Sequence, residues 1–303
     1  MKPMTSPSRN VLVLGGSGFL GRHVCEKLQR AGYNITVPTR RVSNAQGVQH
    51  LPRLTVLEAN VHNEADLARL LPGHTAVVNL IAILHGTEAA FERTHVLLPT
   101  KLARACTASG VRRLVHVSAL GVALDSPARY QRSKARGEQV LRDAGLNLTV
   151  LRPSVIFGQG DRFLNLFAKL QSIFPVVPLA GAHARFQPVW VEDVAQAVVT
   201  SLVNPPDEPV IECAGPEVLT LADLVRVAGH HGSRQRPIVP LPASLGHLQA
   251  LLMELAPGEP LMSRDNLAAM SVDNVASGAL PGLETLGIRA ASVHSIAPTY
   301  LRP

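Results

Sequence analysis

Asn10-Val-Leu-Val-Leu-Gly15-Gly-Ser-Gly18-Phe-Leu-Gly21-Arg22 is the stretch whose reading decides the fold. Four apolar residues, Val11 to Leu14, run straight into glycines at 15, 18 and 21. A helical apolar pattern then places Leu20, Val24, Leu28 and Ala31 on one face. The order is that of a buried strand, a tight turn and a helix N-terminus. Gly15 allows the turn, Gly18 lets backbone approach a pyrophosphate, and Gly21 lets the helix pack on the sheet. The free N–H groups and partial positive charge of the helix start suit phosphate, so this turn is read as a dinucleotide cradle.

The pattern repeats downstream. Gly32 stops the first helix, and strands are expected over 34–39, 54–58, 76–80, 113–118 and 147–151. Helices are expected after Asn63 (carrying Leu67, Leu70 and Leu71), over 87–109 with Pro99 at a kink, and over 127–144. Strand and helix thus alternate as in an α/β doubly wound parallel sheet, which gathers its ligand at the strand C-termini. Beyond Arg152-Pro153 prolines become frequent and the expected helices are short, near 162–172, 191–203, 221–229 and 245–255. We therefore expect a sheet domain from 9–155 plus about 186–214, a smaller irregular α+β lobe from about 156–185 plus 215–303, and a disordered leader over 1–8.

Composition narrows the function classes. Hydrophobic content of 46% with 17% charged residues describes a folded chain, and no apolar run is long enough to span a bilayer. Cys25, Cys106 and Cys213 lie far apart, which suits buried free thiols in a reducing cytoplasm and supports neither a disulfide framework nor a metal site. The net charge of +7 comes from 24 Arg against 5 Lys. With aromatics at 4% and no basic run, nucleic acid is not an expected partner. The charge fits a phosphorylated ligand or an anionic surface.

Two further groups carry chemistry. The second strand ends in Thr39-Arg40-Arg41 without a carboxylate, so guanidinium groups replace the acid that would hold a free ribose 2′-OH. This favours NADP(H) over NAD(H). Tyr130-Gln-Arg-Ser-Lys134 puts a phenol and an ammonium on one helix face. The ammonium is expected to lower the phenol pKa and make Tyr130 a usable acid or base, with Ser118 as the adjacent hydroxyl. Residues 245–255 form an amphipathic stretch, read first as lobe packing and second as a membrane-surface or quinone-tail contact. Glu192 and Asp193 are read as helix-start residues.

Taken together, Gly15-x2-Gly18-x2-Gly21, Ser118, Tyr130-x3-Lys134 and Leu151-Arg-Pro-Ser-Val-Ile-Phe-Gly158 resemble the extended short-chain dehydrogenase/reductase superfamily. Val78-Asn-Leu-Ile-Ala-Ile-Leu, Val115-His-Val-Ser-Ala-Leu-Gly, Asp161-Arg-Phe-Leu-Asn, Arg185-Phe-Gln-Pro-Val-Trp-Val-Glu-Asp-Val and Ser271-Val-Asp-Asn-Val resemble an atypical, epimerase/dehydratase-like branch. That branch includes the nucleotide-binding accessory subunit of respiratory complex I and its bacterial relatives. The resemblance implies a Rossmann domain holding NADP(H). Gly15, Ser17, Gly18, Phe19, Leu20 and Gly21 would line the pyrophosphate, Arg40 and Arg41 the 2′-phosphate, and Asn60 and Val61 the adenine. Leu80 and Ala82 would lie along the ribose, and Ser118, Tyr130, Lys134 and Pro153 to Val155 at the nicotinamide end.

The chain also departs from that pattern. Ala119 and Leu120 stand where extended members carry further hydroxyls, the segment between Ser118 and Tyr130 is short, and an active-site Asn is replaced around His95. Two roles follow from the resemblance. One is a structural or regulatory NADP(H) protein beside respiratory or quinone-biosynthesis proteins, cytoplasmic or peripheral on the inner membrane. The other is an oxidoreductase or epimerase on a small or lipid-like substrate, using Tyr130 and Lys134. A nucleotide-sensing repressor module is a third and weaker reading.

Overall fold

The structure is a computed structural model that describes residues 9–232, 234–255, 258 and 260–301. The expected leader over 1–8 lies outside the described residues. Strands β1 (Asn10–Leu14), β2 (Asn34–Thr39), β3 (Leu54–Glu58), β4 (Ala76–Asn79), β5 (Arg113–Val117), β6 (Asn147–Pro153) and β7 (Val210–Cys213) make one parallel sheet. Their order is β7-β6-β5-β4-β1-β2-β3, with every neighbouring pair parallel.

β1 shows why the strands read as unbroken apolar runs. Successive side chains point to opposite faces, and both faces are covered. Val11 and Val13 join a core with Val24, Cys25 and Leu28 of α1 (Phe19–Arg30). Leu12 and Leu14 join another with Leu67 of α2 (Glu64–Leu70). The chain then runs through α3 (Glu88–Phe91), a π-helical turn (Glu92–Leu97), α4 (Leu98–Ser109) and α5 (Arg129–Asp143). Leu102 of α4 and Leu141 of α5 pack on the Leu12 face. α6 (Leu164–Ile173) precedes α7 (Val191–Val203), whose Val194, Ala197 and Val198 close the Val11 face beside α1.

Three short strand pairs and the remaining helices α8 (Leu221–Gly232), α9 (Ala243–Leu255), α10 (Arg264–Ala269) and α11 (Val293–Tyr300) complete the described chain. A third apolar core lies among α6, α8 and α11, around Phe157, Phe167, Leu224 and Ala297. All three cysteines are free and buried.

Differences from the sequence expectation have local causes. β7 was not among the expected strands; it is four residues long, and its pairing with β6 extends that strand to Pro153. β4 ends at Asn79, whose amide oxygen accepts from the Ile81 N–H and whose Nδ2 bonds His116 Nδ1 at 3.1 Å. The helix expected over 87–109 is divided instead of simply kinked. Pro99 has no N–H to offer the carbonyl of His95 four residues earlier, and the turn before it widens to π geometry.

The apolar stretch at 245–255 packs on the lobe as a helix, but through its small residues and not its leucines. Gly246 and Ala250 are its buried residues, whereas Leu245, Leu248, Leu251, Leu252 and Leu255 face outward. The small residues set the packed side: a Cβ added to Gly246 would lie 2.9 Å from the Ala180 Cβ.

Candidate functional site

The strand order reverses between β1 and β4, so the crevice at their C-terminal ends is the place where such a sheet takes a ligand. Gly15 turns out of β1 with φ +82°, a left-handed conformation that side chains rarely adopt. The Gly18 N–H then bonds the Gly15 carbonyl at 3.0 Å. A Cβ on Gly21 would lie 2.2 Å from that same carbonyl, so only glycine fits there. The first α1 hydrogen bond is Arg22 N–H to Gly18 O. It leaves the N–H groups of Phe19, Leu20 and Gly21 without helical acceptors. Ser17 sits in the turn, and Leu20 packs on the core.

The second and third strands supply a basic rim. Arg40 and Arg41 are exposed, and neither guanidinium bonds a described residue. Thr39 Oγ1 holds the backbone there by donating to the Arg41 carbonyl at 3.1 Å. Beside it, the Ala59 N–H bonds Thr39 O and the Asn60 N–H bonds Asp66 Oδ2 at 2.8 Å, while Val61 is buried. Burial, then the charges of Arg93, Lys101 and Arg40, push the His62 imidazole below its ordinary pKa. Across the crevice, Leu80 N–H bonds Leu14 O at 2.9 Å, bringing Leu80 against Gly15, and Ala82 follows it exposed.

Ser118, Tyr130 and Lys134 meet at the end of β5. Ser118 is 4% exposed, its N–H bonds Leu151 O, and its buried hydroxyl has no partner. Lys134 is buried, with Nζ donating to Val117 O at 3.1 Å and lying 5.9 Å from the Tyr130 ring centroid. The Tyr130 ring meets His95 edge-on at 5.4 Å and Phe91 at 6.2 Å. Burial raises the phenol pKa. This corrects the expectation that the ammonium lowers it, because Lys134 is directed at a carbonyl. Burial brings Lys134 itself down to about 8, against the opposing pull of Glu138.

His95 stands where the replaced Asn was expected. Its Nε2 accepts from the Ile83 N–H at 3.2 Å, so its Nδ1 carries the proton toward Ser133 Oγ at 2.8 Å. Ser133 in turn donates to Tyr130 O. Burial, and then Lys134, depress the His95 pKa to about 3, which keeps it a neutral lock. Gly137 allows the contact: a Cβ there would lie 1.9 Å from His95 O. His116 is likewise held neutral by burial, Lys134 and His95.

Pro153 accepts from Leu120 N–H at 2.9 Å. Asn274 holds the next residues, its Oδ1 accepting from Ser154 Oγ and from the Val155 N–H at 3.1 Å. A second remote residue, Asp265 of α10, was missed by the sequence reading. α5 has no acidic residue in its first turn and no side-chain cap of its own. The Asp265 carboxylate supplies one, accepting from Arg129 N–H at 2.8 Å and Tyr130 N–H at 3.0 Å. No sequence signal joins residues so far apart. Glu192 and Asp193 also do more than start α7. Glu192 pairs with His23 and Lys27 of α1, and Asp193 accepts from the Ala291 N–H.

The residues fit a nicotinamide dinucleotide: a glycine cradle that a Cβ would fill, free N–H groups, unengaged guanidiniums and an orphaned hydroxyl share one edge of the sheet. Two shallow hollows, around Arg53 with His74 and around residues 204–208, lie at the opposite ends of the strands.

The sequence profile of the NAD dependent epimerase/dehydratase family matches residues 11–213, and the chain belongs to this family. It is an atypical short-chain dehydrogenase/reductase of the kind represented by a respiratory complex I subunit. It is 33% identical over 287 residues to the mitochondrial NADH dehydrogenase (ubiquinone) 1 alpha subcomplex subunit 9 of Mus musculus, covering 91% of this chain and 75% of that protein. It is also 29% identical over 205 residues to a ceramide reductase of Caulobacter vibrioides, covering 67% of this chain and 64% of that protein. Among solved structures, a Thermus thermophilus UDP-glucose 4-epimerase complexed with NAD superposes with TM-score 0.72 at 19% identity, over 96% of this chain and 97% of that one.

Proposed function

We propose that the protein holds NADP(H) as a structural or regulatory group and works as an accessory factor beside respiratory or quinone-linked proteins at a membrane. The cradle from Gly15 to Gly21 would bind the pyrophosphate, Arg40 and Arg41 the 2′-phosphate, and Asn60, Val61, Leu80 and Ala82 the adenosine. Ser118, Tyr130, Lys134, Pro153 and Val155 would surround the nicotinamide, which in such sites supplies or accepts a hydride. The same reading assigns 156–185 and 215–303 to the lobe that faces a partner or substrate.

One observation carries the accessory role. Tyr130 lies edge-on against the stacked rings of Phe91 and His95 with a raised pKa, and Lys134 is tied to the Val117 carbonyl, so the pair is built into the fold. The outward leucines of α9 support a peripheral membrane contact, since an apolar helix face on a chain of net charge +7 suits an anionic bilayer. No described helix is long and apolar enough to cross a membrane.

A second reading, an active oxidoreductase or epimerase, is favoured by the partnerless Ser118 hydroxyl, which could meet a substrate oxygen next to Tyr130. Turnover assays on long-chain ketones separate the two. Absence of turnover with tight NADPH binding and recovery on membranes supports the accessory role. Turnover that Tyr130→Phe abolishes, with binding retained, supports the enzyme. For the cofactor, Arg40→Ala with Arg41→Ala should erase a preference for NADPH over NADH; equal affinities in the unmutated protein would refute the arginine assignment.

A further inference from the structure

We propose that Arg22 is the side chain that closes over the dinucleotide pyrophosphate, an inference that rests on the dinucleotide reading of the glycine turn. Arg22 lies in the first turn of α1, where a cation opposes the helix dipole and no acidic residue balances it. The carboxylate that reaches α1, Glu192, is already engaged by His23 and Lys27. The Arg22 side chain is half-buried, yet its guanidinium has no hydrogen bond or ion pair with a described residue. A half-buried guanidinium offers five donors in a fork that suits phosphate oxygens.

Its position is fixed by two glycines on opposite walls of the crevice. A Cβ on Gly47 would lie 2.7 Å from Arg22 Cδ, so the aliphatic stem lies directly on that backbone. A Cβ on Gly160 would lie 3.3 Å from an Arg22 terminal nitrogen, so the head reaches the loop after the Ile156–Phe157 strand. Gly47 follows the Arg40-Arg41 loop. Arg22 therefore bridges the two walls above the helix start whose N–H groups lack acceptors, and a pyrophosphate there would receive its fork. Charge-assisted contact of this kind serves both dinucleotides, because both carry the pyrophosphate.

The test is titration of the full chain with NADPH and with NADH. Arg22→Ala should weaken both by a similar factor, about tenfold or more. Its unfolding midpoint without nucleotide should match the parent, because no described partner is lost. Gly47→Ala should also weaken both, because the new methyl displaces the Arg22 stem, and it should add nothing in the Arg22→Ala background. Unchanged affinity in Arg22→Ala, a loss confined to NADPH, or additive effects of the two substitutions would overturn the assignment. Failure of the unmutated protein to bind either dinucleotide would overturn the dinucleotide reading and this role with it.

Discussion

Replacing Asp265 by alanine should loosen the helix that carries Tyr130 and Lys134, although Asp265 lies on a different helix late in the chain. The carboxylate is 6% exposed and accepts from two first-turn N–H groups of α5 and from Arg129 Nε at 3.3 Å. Loss of a helix cap costs about 1–2 kcal/mol, and leaving buried donors unmet adds about 1–3 kcal/mol. The Arg129 ion pair adds little, since that side chain is 41% exposed. The expected loss is therefore about 2–5 kcal/mol, or a fall of about 3–8 °C in the unfolding midpoint. Asp265→Asn keeps one acceptor oxygen and should show a smaller fall. Thermal unfolding and amide hydrogen exchange measure both effects, with faster exchange expected at Arg129 and Tyr130. An unchanged midpoint, with unchanged exchange at those two amides in Asp265→Ala, would refute the remote cap.

Further predictions concern charge and pH. Hydrogen bonding to His23, with further help from Lys27, lowers the Glu192 pKa from 4.5 to about 2 against the cost of burial. Its contribution is thus fully present above about pH 4.5 and lost as pH falls toward 2. The parent should exceed Glu192→Gln by about 2 kcal/mol at pH 7, and the gap should close on acidification; a gap that persists at pH 2 contradicts this. Lys134 behaves oppositely. Its pKa falls from 10.5 to about 8, so holding the charge destabilises the fold below about pH 8, and that cost is relieved between 8 and 10.5. Lys134→Met should raise the unfolding midpoint at pH 7 in the absence of nucleotide and diminish the stabilisation gained from added NADPH. A lowered midpoint would show that the Val117 hydrogen bond outweighs the buried charge.

The sheet was legible because its strands are buried on both faces, which forces apolar runs such as Val11–Leu14. The glycine turn was legible because steric exclusion at Gly15 and Gly21 admits no other residue. β7 was not, since a four-residue strand pairs only through long-range contacts. The 87–109 break was visible as Pro99 but not as a π turn, since a missing N–H can equally kink a helix or end it. Spacing placed Tyr130 and Lys134 on one helix face, yet it could not show where the ammonium points. Burial and the Val117 carbonyl decide that. Asp265 was invisible because its role comes from tertiary placement alone, and the outward leucines of α9 because an amphipathic pattern does not say which side meets the core.

The most direct measurement is calorimetric titration of the unmutated protein, freed of nucleotide, with NADPH and NADH at the same salt concentration. NADPH is expected to bind with clearly higher affinity, with a preference lost in the Arg40→Ala, Arg41→Ala protein. Equal affinities would contradict the arginine assignment, and no binding of either would contradict the reading of the glycine turn itself.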